Sequence, residues 1–330
     1  MTSELILLGT SASGGLNNLI YPLSNYGRDH ACAFYVAEDG RGYLIDAPFN
    51  IRNQLHQILD VLVTDGYTLD EFPKYFGGMR QIERPVSLNI EAVIFTNNND
   101  TCVNGFTALR DIPNSNKEPL RLFAHPETLE HLKVFGFPFD GRLGIYTPGG
   151  ERTTLKFEGY EFQASEPTPI SDNLFLEHAM VRQGSPDKRS AVIALPGFVY
   201  APAVSHIGDD FLDLVARTKP HTVVLDLQCE VRLDDNYPRL GIREFLQACE
   251  DIAAISPGTR RVVSTGMGDL AGSNEELEAI LVAGRGDFNI PSSLEILVGR
   301  DGMRIGPDGV RVAPTARLGN QHPAPGSPRP

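Results

Sequence analysis

The feature that most constrains this chain is the apolar run Ile90 to Phe95, which stops abruptly in Thr96-Asn97-Asn98-Asn99-Asp100-Thr101-Cys102. An apolar run of strand length, broken here only by Glu91, reads as a short buried strand, as in layered α/β proteins. Behind the polar stretch, Gly105 to Arg110 reads as the start of a helix. Polar residues held between a buried strand and a helix lie at the mouth of an α/β sheet, where ligands bind.

The same pattern recurs along the chain. Leu5 to Leu8 is a short apolar strand running into Gly9-Thr10-Ser11-Ala12-Ser13-Gly14-Gly15, a small-residue turn that admits close approach of backbone or ligand. This turn is neither a Walker loop, lacking the Lys-Ser/Thr ending, nor the dinucleotide fingerprint. Cys32 to Val36 and Gly42 to Ile45 flank an Asp-Gly hairpin signal, and Asp46-Ala47-Pro48-Phe49-Asn50 ends the second strand. Ile51, Leu55, Ile58, Leu59 and Leu62 then recur at helical spacing. The segment 66–85 is loop-like and reads as a lid or insertion over the cleft.

Further on, strands are predicted at Leu120 to Ala124, Leu155 to Ala164, Leu174 to Val181, Ala191 to Leu195, Phe198 to Tyr200, Thr222 to Leu227, Arg261 to Thr265 and Leu294 to Val298. Helices are predicted at Pro126 to Phe135, Asp209 to Arg217, Arg243 to Ile255 and Asn274 to Val282, and a terminal hairpin at Gly302 to Arg304 and Gly309 to Val312. Gly136 to Gly150 reads as turns, and Pro167 and Pro169 stiffen the connection from Glu166 to Asp172. Many short strands in each half, each followed by helices, predict two mixed sheets packed together with helices outside: an α/β, four-layer αββα sandwich. One domain over residues 1–313 and a disordered Pro- and Gly-rich tail over 314–330 are expected.

Charge narrows the partners. A net charge of -13 leaves no excess of Lys and Arg to release counterions from a nucleic acid. No apolar run is long enough to cross a bilayer and no basic leader opens the chain. Cys32, Cys102, Cys229 and Cys249 form no close pair, so neither a zinc knuckle nor a disulfide framework is signalled. A cytoplasmic protein handling small molecules is the expectation, and a homodimer is compatible with it.

The order of these pieces resembles the metallo-β-lactamase fold. The resemblance rests on Leu8 to Gly15, Leu44-Ile45-Asp46-Ala47, Asn50 to Leu55, the Thr96-Asn97 loop with Gly105, Tyr200-Ala201-Pro202, Val224-Leu225-Asp226 and Arg300-Asp301-Gly302-Met303. Within that superfamily it is most similar to the branch of pyrroloquinoline quinone biosynthesis protein B and the phosphodiesterase-like hydrolases. The resemblance implies a Thr-His-x-His-x-Asp-His loop whose side chains hold one or two metal ions and leave a position open for water. Here those positions carry Asn97, Asn99, Thr101 and Cys102, and amides are weak ligands for zinc. The family's bridging aspartate falls at Ala203, with Asp226 ending the next strand, and its last histidine falls at Gly266, with Asp269 three residues on.

Three readings follow. In the first, the protein lacks the usual dinuclear site and needs no cofactor. Cys102, Asp100, His178 and Asp226 are its catalytic candidates, and Ser11, Ser13, Asn97, Asn99, Thr101 and Tyr200 line a site for a small-molecule or peptide-derived substrate in a biosynthetic pathway. Cys102, just before the expected helix, is the candidate nucleophile, with His178 as its base. In the second, one zinc, iron or copper ion sits among Cys102, His178, Asp226 and Asp269, and the protein is a hydrolase or hydroxylase. In the third, the fold is kept as an inactive binding or scaffold protein.

Overall fold

The computed structural model describes residues 2–10, 30–51, 54–55, 90–106, 109, 120–135, 145–146, 157–163, 166–227, 240–267 and 273–312. Its first half comprises strands β1 (Glu4–Gly9), β2 (Cys32–Val36), β3 (Gly42–Ile45) and β4 (Ile90–Ile94), the single helical turn α1 (Asp100–Val103), strand β5 (Leu120–Ala124), helix α2 (Pro126–Phe135), and strands β6 (Ile145–Tyr146) and β7 (Phe157–Glu161). The second half runs β8 (Thr168–Ser171), β9 (Leu174–Gln183), β10 (Ser185–Leu195), β11 (Phe198–Ala201), α3 (Asp209–Thr218), β12 (Thr222–Asp226), α4 (Ile242–Ile255), β13 (Arg261–Thr265), α5 (Asn274–Gly284) and β14 (Glu295–Val298). The hairpin β15 (Met303–Gly306) and β16 (Gly309–Val312) follows.

The strands form two sheets. The first has the order β16-β15-β1-β2-β3-β4-β5-β7-β6 and the second the order β14-β13-β12-β11-β10-β9-β8. Strand alternation sorts the core into three clusters. Leu5, Tyr35, Ile45, Ile94, Ile193, Tyr200, Val224 and Val263 pack between the sheets. Leu8, Phe34, Val93, Phe95 and Leu122 face outward from the first sheet to meet Cys102, Phe106 and α2 through Leu129 and Leu132. Val192, Val223, Leu225 and Val262 face outward from the second sheet, against Phe211 and Leu214 of α3, Phe245 and Ile252 of α4, and Leu277 of α5. Three apolar clusters separating two sheets and two outer helical layers are the αββα arrangement. No helix among the described residues is long and apolar enough to cross a membrane.

Several expectations shift. The helix after the central loop begins within it, at Asp100–Val103, rather than at Gly105. The carbonyl of Asn99 receives the amides of Cys102 and Val103 at 2.8 and 3.1 Å, so Asn99 starts the turn. Gly105 serves loop packing instead: a Cβ there would lie 1.9 Å from the carbonyl oxygen of Pro48. Ile145–Tyr146 and Thr168–Ser171 are strands where turns and a stiff connector were expected. Ser11, Ser13, Asp269, the 66–85 segment, the 314–330 tail, the helix behind Leu55 and the side chains of Asp100 and Thr101 lie outside the described residues.

Candidate functional site

Carboxyl ends of strands from both sheets converge at one end of the sandwich, and Thr96 ties them together. Asp46, just past β3, sits in the left-handed region with φ of 64°, a conformation that its short polar side chain tolerates. Its carboxylate accepts the Thr96 amide and the Thr96 hydroxyl, each at 2.8 Å. The Thr96 carbonyl accepts the Ala191 amide of β10 at 2.6 Å and so joins the first sheet to the second. Asn97 Nδ2 donates to Thr96 Oγ1 and Ser190 Oγ, both at 3.2 Å, and Asn97 Oδ1 accepts the Asn99 amide at 2.9 Å. The loops are locked from the other side by Ala47 N to Cys102 O at 2.7 Å and Gly105 N to Ala47 O at 2.8 Å. Asn97, expected to face substrate, is only 2% exposed and directs its amide into the loop.

The candidate catalytic residues are split between layers. Cys102 packs in the outer cluster of the first sheet, its sulfur 3.9 Å from the Thr96 hydroxyl. His178 lies in the layer between the sheets, its ring 4.9 Å from that of Phe162. The expected pairing of Cys102 with His178 as its base is therefore not formed. Strand alternation explains why: Ala191 pairs with Met180 and Ile193 with His178, so His178 points inward with Leu174, Leu176 and Met180, away from the layer that holds Cys102.

Register places His178, Ile193, Tyr200, Val224 and Val263 in one row across the inner face of the second sheet. Asp226 and Thr265 pair with each other one step nearer the strand ends. Asp226 is fully buried and accepts the Val204 amide at 3.3 Å. Tyr200 is 1% exposed, and its hydroxyl, like that of Thr265, has no hydrogen-bond partner among the described residues. Burial first, then the acidic neighbours headed by Asp46, push the Tyr200 phenol well above its usual range, so it remains a protonated donor.

The open part of this end lies one strand further out. Ile94 pairs with Phe123, so Thr96 after β4 and His125 after β5 stand level. Strand β8 pairs with β9 only as far as Leu176, and beyond that point the β9 edge borders a cavity of about 660 Å³. His125, Glu161 and Phe162 form the wall from the first sheet, His178 and Met180 the wall from β9, and Arg217 of α3 the third side. Burial first, then His125 and Arg217, lower the His178 pKa and favour its neutral, proton-accepting form. Neither the His125 nor the His178 ring has a hydrogen-bond partner among the described residues. Sequence reasoning found His178 and missed His125, Glu161 and Arg217. A polar residue immediately after a buried strand was the available signal for His125.

Among the described residues, the side chains at the positions that the resemblance assigns to the metal are not grouped to hold one. The Asn97 amide is engaged by Thr96 and by Ser190 of β10, Cys102 and His178 occupy different layers, and no group of three or more His, Cys, Asp or Glu among the described residues is arranged to hold an ion. The alternative mononuclear set drawn from Cys102, His178 and Asp226 is thus not assembled, and its fourth member, Asp269, lies outside the described residues.

No family model and no curated protein matches the chain. Solved structures do match it. Unliganded yeast PDE1 superimposes with a TM-score of 0.65 at 13% identity, covering 92% of this chain and 98% of that one. Zinc-bound PqqB from Methylobacterium extorquens gives 0.58 at 15%, covering 92% and 99%. The metallo-β-lactamase fold protein YhfI from Bacillus subtilis gives 0.58 at 12%, covering 92% and 98%. Identities this low carry the architecture and nothing finer, and on that architecture the chain is a metallo-β-lactamase-fold protein.

Proposed function

We propose that this protein lacks the dinuclear metal centre of its fold and acts on a small polar molecule, as a hydrolase-like or related biosynthetic enzyme. The substrate occupies the cavity beside the central loop, and neutral His178 takes a proton from the substrate or from an attacking water. His125 is the second hydrogen-bonding imidazole within that space. One observation carries the reading: two half-buried imidazoles border an open cavity with their ring nitrogens unengaged among the described residues, while the Thr96 and Asn97 side chains are hydrogen-bonded to their neighbours.

The test is a panel of activated esters, amides, lactones and lactams assayed with the full chain, with and without chelator, alongside His178→Ala and Cys102→Ser. Turnover that survives chelation, is lost in His178→Ala and is retained in Cys102→Ser is the expected result. Turnover abolished by chelation and restored by zinc would overturn it. Ligand binding at His178 without any turnover would leave a binding protein instead of an enzyme.

A further inference from the structure

The chemistry of the cavity rim narrows the class of ligand further. Asp210, Asp213 and Arg217 fall at i, i+3 and i+7 on α3, so they form one stripe along the cavity. Arg217 is held by Glu177, Nε to Oε2 at 2.6 Å, and its charge is already matched. Glu161 faces the stripe from the end of β7. Among the described residues, Asp210, Asp213 and Glu161 have no cationic partner. The rim is therefore a set of unmatched carboxylates above a floor of Phe162, Met180, Ala179 and Pro126.

Resting on the reading of this cavity as the binding site, we infer that its ligand is an organic amine, a protonated nitrogen on an apolar or aromatic body. The body lies against Phe162 and the His178 ring, which are tilted 35° to one another. The ammonium group donates to the unengaged ring nitrogens of His125 and His178 and sits in the field of Glu161, Asp210 and Asp213. A neutral imidazole suits this role because it offers an acceptor without opposing the positive charge. A carboxylate or phosphate ligand would meet three acidic side chains and a guanidinium already bound to Glu177. The cavity volume of about 660 Å³ accommodates a ligand of this size.

The probe is a matched pair, benzylamine and benzoate, which share a ring and differ in the sign of charge. Each is titrated into the full-length protein by calorimetry, with the His125 and His178 ring resonances followed by NMR and assigned by His125→Gln and His178→Gln. Benzylamine is expected to shift both imidazoles and to bind roughly tenfold tighter than benzoate, the scale of one well-placed charge interaction. The exposed double variant Asp210→Asn and Asp213→Asn should weaken benzylamine by roughly fivefold and leave benzoate unweakened. If benzoate binds as tightly as benzylamine at the same two imidazoles, or if the double variant leaves benzylamine unaffected, the amine assignment falls while the cavity remains the site. If neither probe shifts His125 or His178, both the amine assignment and the cavity reading fall.

Discussion

Two neighbouring strand ends of this protein do opposite things with their polar groups. After β4, Thr96 and Asn97 are closed off: the Asp46 carboxylate, the Thr96 hydroxyl and amide, and the Asn97 amide satisfy one another. After β5, one strand over and at the same level, His125 faces a cavity with His178 opposite, and their ring nitrogens are unengaged among the described residues. The stretch that looks most like a motif is thus built as structure, and hydrogen-bonding capacity remains where the sequence is plain. A buried polar group that is fully satisfied stabilises and specifies the fold, whereas one left open beside a cavity is available for a ligand.

The largest expected effect comes from breaking the closed side. Asp46→Ala removes a buried carboxylate, strands the Thr96 amide and hydroxyl, and puts alanine at positive φ; it should cost roughly 3–5 kcal/mol of unfolding free energy. Urea denaturation measures this, and a loss below about 1 kcal/mol would mean that the loop does not rest on this carboxylate. Gly105→Ala forces a methyl group against the Pro48 carbonyl and should cost roughly 1–3 kcal/mol as the two loops separate. Wild-type stability in that variant would show that the loops part without penalty.

What the sequence made legible follows from burial. Cys32–Val36, Leu120–Ala124, Arg261–Thr265 and the helix Pro126–Phe135 lie where the sequence reading places them, because their apolar residues run together or recur at helical spacing. The missed strands, β6 and β8, are the outermost members of their sheets. Each has a single neighbour, and β8 contains Pro169, which an edge strand accepts and a central one does not. The cavity was illegible for a different reason. His125, Glu161, His178 and Arg217 come from the end of β5, from β7, from β9 and from α3, and only the closure of two sheets and a helix brings them together. Alternation along Leu174, Leu176, His178 and Met180 carried the direction of His178 in advance. It could not show that the adjacent strand stops at Leu176 and leaves the edge open.

Tyr200 tests the boundary between the two regions. Its hydroxyl is buried without a partner among the described residues, so Tyr200→Phe should stabilise the protein by about 1 kcal/mol by removing an unsatisfied polar group. A loss of stability of that size would show that the hydroxyl binds a water or ligand and that the closed side is more open than its hydrogen bonds suggest.

The smallest effect is the most specific, because it reads the open side through protons alone. Burial, His125 and Arg217 lower the His178 pKa below its ordinary value of 6.5. Above 6.5 the ring is neutral in both folded and unfolded chains and adds no pH dependence. As the pH falls below 6.5, the unfolded chain takes up the proton first, so stability declines until the lower, folded pKa is passed. His178→Gln removes this contribution, and urea midpoints measured from pH 7.5 down to 5 should fall less steeply than in wild type. His221, lowered chiefly by its own burial, stays in place and keeps a residual slope in the variant. An unchanged slope would mean that His178 is as solvated as a free imidazole. It would then offer no neutral acceptor to a ligand, and the contrast between a closed loop and an open, chemically poised cavity would collapse.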